Sequence, residues 1–264
     1  MGECQKEEIE MKINYFEQKN ELKKRAVCHV NQMREKHADK IVASIKNTIT
    51  YGPVVNVITG SGHKIELIVE QADSVSAVLK HSREGENPAV ANFASYKLPG
   101  GLFFEGSKAQ EECLCHESTL YNVISCFKDY YAWNNVNKNK GLYTNRALYS
   151  KNIFFERKEN FAFCDVITCA APNYKIAAKY QNVSLEENVK ILRSRIRFIK
   201  WVLEQNNVDI FIFGAFGTGV FGQDPKLVAQ ICKEEFAESN VIKKVYFSII
   251  DRDTTNVFKA VLEN

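Results

Sequence analysis

The hydrophobic and polar positions of the chain fall into two regimes. Over residues 5–50, Lys, Glu, Ala, Gln and Met dominate, and no glycine or proline interrupts before Gly52. That composition predicts helix, in two pieces with a break within residues 28–36. Tyr51-Gly52-Pro53 ends the regime, and short β-rich runs separated by turns follow. Residues 64–70 alternate as a strand, 73–81 suit a short helix, and 89–93 form an apolar run that predicts a buried strand. A glycine-rich loop over 98–106 comes next, then a helix over 109–128 and an irregular stretch over 138–146. Ile153-Phe154-Phe155 reads as a short strand and 161–170 as a stronger one, ending at Pro172-Asn173. Residues 185–205 predict a long amphipathic helix with Ser184 as N-cap and Glu187 three residues on. A buried strand over 208–213 runs into a second glycine loop, 214–222. Asp224-Pro225 then opens a helix to about residue 238, and 245–250 reads as a strand.

Strand, loop, helix and strand in succession after residue 161 predict a three-layer α/β domain. Residues 1–52 are expected to form a helical extension packed on a core of residues 53–264. Sheets of this kind bind ligands outside the carboxyl ends of their strands, where both glycine loops should fall.

Composition narrows the function classes. The chain has 264 residues, 45% hydrophobic and 25% charged, with 17 Phe and 11 Tyr, which is a folded and not a disordered composition. Its 35 basic and 32 acidic residues leave a formal charge of +3. So small an excess gives no argument for nucleic-acid binding, while a local loop can still hold an anion. Residues 1–20 carry no apolar signal segment and no run is long enough to span a membrane. The eight cysteines are therefore expected as free thiols of a cytoplasmic protein.

Two loops carry candidate chemistry. In the second, Gly214, Gly217, Gly219 and Gly222 would let backbone amides approach an anion. The spacing fits neither a Walker loop nor a dinucleotide fingerprint, so phosphate binding and a tight structural turn stand level. In the first, Pro99-Gly100-Gly101 turns sharply and leads to Gln110-Glu111-Glu112 at a helix start. Taken alone, the two glutamates suit the helix dipole better than a chemical role, which stays open. Adjacent helical positions also point about 100° apart, so the pair need not share an environment. The dipole lowers a carboxyl pKa, whereas a neighbouring carboxylate and an anionic ligand raise it. Cys113, Cys115 and His116 lack metal-site spacing, and no metal or cofactor is expected. Asp165 and Asp251 suit a ligand contact or a structural role equally.

In order along the chain stand Ala91-Asn92-Phe93-Ala94-Ser95, Pro99-Gly100-Gly101, Gln110-Glu111-Glu112, Leu120-Tyr121, Leu148-Tyr149-Ser150, Asp165-Val166-Ile167-Thr168, Ala170-Ala171-Pro172-Asn173 and the 214–222 loop. With these blocks the chain resembles the microbial-type poly(ADP-ribose) glycohydrolases, macrodomain proteins with a helical N-terminal extension. The resemblance implies a mixed sheet flanked by helices and metal-free cleavage of ADP-ribosyl O-glycosidic bonds. It implies Glu112 as catalytic acid, Glu111 on the ribose hydroxyls, Gln110 supporting the pair and Asn92 near the distal ribose. Gly100 and Gly101 would shape the loop over the diphosphate. Gly217, Thr218, Gly219 and Val220 would cradle phosphate from the other side, with Phe221 near the adenosine. The family signature has three glycines before Gln-Glu-Glu, and here the third is Leu102. A leucine there makes any positive φ costly and adds bulk to the ligand path. Three readings follow: a hydrolase of poly(ADP-ribose) or ADP-ribosylated protein, a non-catalytic ADP-ribose reader, and a hydrolase of mono-ADP-ribose or a related nucleotide. The expected partner is ADP-ribose or an ADP-ribosylated protein, and the expected state a monomer without nucleic acid or membrane contacts.

Overall fold

The computed structural model describes residues 3–53, 62–82 and 86–263. Helices α1 (Glu3–Lys36) and α2 (Ala38–Lys46) lead into β1 (Ile49–Tyr51). Then come β2 (His63–Lys64), β3 (Glu66–Glu70), α3 (Ser74–His81), β4 (Pro88–Phe93), α4 (Gln110–His116), α5 (Leu120–Ile124) and α6 (Lys128–Val136). The hairpin of β5 (Ala147–Arg157) and β6 (Asn160–Cys169) precedes α7 (Tyr174–Gln181) and α8 (Leu185–Gln205). The chain ends through β7 (Ile210–Phe213), α9 (Pro225–Glu235), β8 (Glu238–Ser239), β9 (Lys244–Ser248) and α10 (Arg252–Leu262).

Seven strands form one mixed sheet in the order β1-β5-β6-β4-β7-β9-β3. β6, β4, β7, β9 and β3 run parallel, and β5 and β1 add an antiparallel edge. The central strands read Pro-Ala-Val-Ala-Asn-Phe and Ile-Phe-Ile-Phe and are buried on both faces, as parallel strands covered by helices require. Their alternation feeds two cores. Ala89 and Ala91 join Leu192, Ile196, Phe211 and Phe247 on the side of α8, α9 and α10. Val90 faces Met33, Val78, Leu114 and Val123 on the other. Each buried side chain of this size stabilises by about 1.5–3 kcal/mol. The expected α/β architecture is observed. Because β4 and β7 are neighbours and parallel, the loops leaving their carboxyl ends emerge side by side. No helix among the described residues is long and apolar enough to cross a membrane.

The elements differ from the sequence reading where distant contacts intervene. α1 runs unbroken through 28–36 because Ala26, Val30 and Met33 hold one buried face of it. The break falls at His37, with φ −132° and its ring 4.2 Å from that of Phe154. Residues 109–128 form parts of three helices and not one. At Ser118 the chain leaves the helical path to pair with β5: Thr119 N donates to Phe154 O at 2.9 Å, and Glu156 N to Glu117 O at 2.9 Å. The strand at 153–155 extends to eleven residues through its pairing with β6. The 64–70 strand divides at Ile65, which turns into the core. α7 and α10 escaped the pattern, although Asn173 and Asp251 cap them through Ile176 N and Thr254 N. Asp251 is thus a helix cap. Asp165 accepts from Tyr149 Oη at 2.7 Å and Asn152 N at 2.8 Å, a structural carboxylate that binds the hairpin together.

Candidate active site

β4 delivers the first residues of the site. Asn92 is fully buried, and its amide donates to Glu111 Oε1 at 3.2 Å and Thr168 Oγ1 at 3.3 Å. Gln110 clasps the strand end: its Oε1 accepts from Phe93 N at 2.8 Å, and its Nε2 donates to Ala91 O at 2.7 Å and Ser74 Oγ at 3.1 Å. Only an amide side chain supplies donor and acceptor at that distance from the helix. The clasp fixes where α4 starts and therefore where the next two side chains point.

Those two are buried, Glu111 to 3% and Glu112 to 5% exposure. Despite the angle between their positions on α4, both carboxylates turn toward Gly101. A β-carbon on Gly101 would lie 2.6 Å from Glu112 Oε1 and 3.1 Å from Glu111 Oε2, and Gly101 also holds φ +57°. Gly100 has φ +70° and packs on the Tyr121 ring. Glycine is needed at both places, for space and for conformation. The loop can then close on the carboxylates. Glu111 accepts from Ser95 N at 2.6 Å and Gly100 N at 3.2 Å in addition to Asn92. Glu112 Oε1 accepts from Leu102 N at 2.8 Å. Glu112 Oε2 is buried and has no hydrogen-bond partner among the described residues.

The pair is therefore asymmetric: Glu111 is held at both oxygens and Glu112 at one. Burial pushes the Glu111 carboxyl up to about 8, outweighing the Ser95 amide and Asn92, and the Glu112 charge adds to the rise. Of the opposed influences at this helix start, desolvation exceeds the stabilisation of a charge by nearby donors. Glu111 consequently retains a proton at neutral pH.

Leu102 departs from the glycine signature without backbone strain. Its φ is −103°, an angle that any residue adopts, and its amide still reaches Glu112. Its side chain is 53% exposed. α1 supports this loop from behind, with Lys23 paired to Glu105 at 2.9 Å.

The second loop leaves β7 beside the first. Gly217, at φ +78°, packs against Ala171, and Gly222, at φ +70°, against Lys175. Both serve the turn itself. Gly219 differs, since a β-carbon there would meet nothing within 4 Å. The amides of Gly219, Val220 and Phe221 donate to no atom among the described residues, while Thr218 is tied to Ala215 O through both its amide and hydroxyl. Successive uncommitted amides are able to receive an anion. Val220 is exposed, and Phe221 packs edge-on against Tyr143, which stacks on Tyr96. A cavity of about 280 Å³ lies between Gln110 at the start of α4 and the second loop, with Phe93, Ala215, Thr218 and Ile249 also in its wall.

Asn92, Gly100, Gly101, Leu102, Gln110, Glu111 and Glu112 thus meet in one cluster of hydrogen bonds and close packing, and Thr218 faces the same cavity as Gln110. Gly217, Gly219, Val220 and Phe221 lie in the adjoining loop. Ser95, Phe93, Ser74 and Tyr121 belong to the site although sequence reasoning gave them no role. Ser95 and Tyr121 stood in the quoted blocks, but their contribution is a backbone amide and a ring face, neither of which leaves a signature in residue type. Cys113 Sγ bonds Lys108 O and Cys115 is buried. No three His, Cys, Asp or Glu are grouped to hold a metal among the described residues.

The sequence profile of the microbial-type PARG catalytic domain matches residues 18–158, which include the first loop and the acidic pair. Poly(ADP-ribose) glycohydrolase from Thermomonospora curvata is similar in structure, with TM-score 0.79 and 23% identity over 91% of this chain and 99% of that one. Its complex with the inhibitor ADP-HPD gives TM-score 0.78, 23% identity and the same coverage. The Deinococcus radiodurans poly(ADP-ribose) glycohydrolase in complex with ADP-ribose gives TM-score 0.75 and 26% identity over 84% of this chain and 97% of that one. No curated protein sequence matches.

Proposed function

The chain belongs to the microbial-type poly(ADP-ribose) glycohydrolase family, a glycohydrolase cleaving ADP-ribosyl glycosidic bonds, and we propose that Glu112 is its general acid and base. The observation that carries this reading is the unpartnered Glu112 Oε2, beside a Glu111 whose oxygens are both engaged. A proton donor needs a position free to meet the leaving oxygen within hydrogen-bond reach.

In the proposed reaction the bond from the anomeric carbon of the distal ribose to the departing oxygen breaks, and Glu112 transfers its proton to that oxygen. Positive charge develops on the ribose as an oxocarbenium-like centre. Water attacks the anomeric carbon and returns a proton to Glu112, yielding free ADP-ribose. Glu111 positions the ribose hydroxyls, Asn92 contacts the same sugar, and the Gly219, Val220 and Phe221 amides receive the diphosphate. The ADP-ribose complex of the D. radiodurans enzyme supports this ligand for a site of the same fold. The intact acidic pair and unstrained Leu102 favour turnover over a reader role. The exposed Leu102 side chain favours short substrates, because it adds apolar bulk at the loop. The free cysteines described, from Cys28 to Cys232, support a reducing compartment.

The test offers poly(ADP-ribose) and serine-, arginine- and glutamate-linked mono-ADP-ribose to wild type and Glu112→Gln. Release of ADP-ribose should fall about 10²–10⁴-fold in the variant with ligand affinity retained. Tight binding without turnover in the wild type would instead establish the reader.

A further inference from the structure

A second cavity, of about 560 Å³, lies where α1 crosses the end of α4 and the tip of the β5–β6 hairpin. Arg25, His29 and Lys36 line it from α1, His116 from α4, and Arg157 and Lys158 from the hairpin. His116 is 6% exposed, and neither of its ring nitrogens has a hydrogen-bond partner among the described residues. A buried imidazole with both nitrogens unmatched is costly unless something enters to meet it. The ring makes an edge contact with Phe103, with centroids 4.5 Å apart.

The charges around His116 select the ligand. Arg157 is committed to Asp73 and Glu117. Arg25, Lys36 and Lys158 form no ion pair among the described residues, and of the carboxylates lining the cavity only Glu156 is likewise uncommitted. The cavity therefore presents an excess of about two positive charges, which a dianion balances and a single carboxylate leaves half met. His29 spends Nε2 on Ser118 O at 2.9 Å. Burial, with Arg25 and His29 nearby, pushes His116 down to about 4, so at neutral pH it offers one N–H and one lone pair. We propose that this cavity binds a phosphoryl group, with His116 hydrogen-bonded to it and Arg25, Lys36 and Lys158 around it. Glu117 and Arg157 also line the 280 Å³ cavity walled by Gln110 and Thr218, so the two cavities adjoin. The group has two possible sources, inorganic phosphate or a phosphate of an ADP-ribose chain whose end unit occupies the active site.

Inorganic phosphate titrated into the whole protein, followed by the His116 imidazole NMR signal and by calorimetry, tests the site. One saturable event should shift His116, weaken with salt, and lose about tenfold or more in affinity in Lys36→Gln and in Arg25→Gln, both at exposed positions. His116→Phe, which keeps the ring on Phe103, should abolish it. No shift of His116 up to about 20 mM phosphate, or binding unchanged in the two surface variants, overturns the proposal. To separate the sources, binding of poly(ADP-ribose) and of free ADP-ribose is compared in Lys36→Gln. Selective loss of the polymer identifies a chain phosphate, and equal retention of both identifies free phosphate. The polymer comparison rests on the activity proposed above, whereas the phosphate titration does not.

Discussion

The two glycine loops leave neighbouring strands at the same edge of the sheet yet use glycine for opposite reasons. In the first, Gly100 and Gly101 are dictated from within: each has positive φ, and the space beside each is filled by Tyr121 or by the two carboxylates. In the second, Gly217 and Gly222 close the turn, while Gly219 faces open space and stands between uncommitted amides. One loop is built around the protein's own acids. The other, in the function proposed above, is built to receive the diphosphate of the ligand. Identical residue types therefore carry different information, and only what surrounds each glycine distinguishes them.

The largest effect that sharpens this contrast is expected for Gly101→Ala. The new methyl meets Glu112 Oε1 and Glu111 Oε2, so turnover should fall about 10²-fold from misplacement alone. Stability should drop by about 1 kcal/mol or more, because alanine is strained at positive φ. ADP-ribose release and thermal unfolding measure the two consequences, and wild-type turnover in this variant would remove the steric account of the first loop.

Glu111→Gln comes next, through pH. A Glu111 raised from 4.5 to about 8 means that the native state holds a proton which the unfolded chain releases. The native state is thus favoured below pH 4.5 by this group, and its contribution is lost as pH rises toward 8. Denaturant unfolding across that range should show declining stability in the wild type and a flatter profile in Glu111→Gln. Parallel profiles would show that Glu111 is ionised throughout.

Gly219→Ala should leave the unfolding midpoint unchanged but weaken ADP-ribose severalfold, since its methyl occupies space on the ligand side only. Calorimetry decides, and a fall in stability with affinity intact would make this loop structural. The smallest effect is expected for Leu102→Gly. It should raise the rate on polymer relative to mono-ADP-ribosylated protein by about twofold to tenfold, the range of a small apolar contact, and an unchanged ratio would remove Leu102 from substrate choice.

Legibility in the sequence followed the range of the interactions. α8 was read with its cap, because Ser184 accepting from Glu187 N at 3.1 Å is a contact between residues three apart. The central strands β4 and β7 were read because burial on both faces leaves continuous apolar runs. The division of residues 109–128 into three helices was not readable, since it depends on pairing with Phe154 and Phe155 far along the chain. β1 is only three residues long and exists by docking on β5. In the site, Gln110-Glu111-Glu112 stood out by residue type, but its asymmetry depends on the Ser95, Gly100 and Leu102 amides, which any residues at those positions would offer. The concern over a strained Leu102 also came from residue type and dissolved once its φ was known.

The structure of the wild-type protein with ADP-ribose bound tests the central claim most directly. The anomeric oxygen of the distal ribose should lie about 2.6–3.2 Å from Glu112 Oε2, with the diphosphate on the Gly219, Val220 and Phe221 amides. An anomeric oxygen that meets Glu111 instead, or a ligand whose distal ribose lies away from the acidic pair, would contradict it.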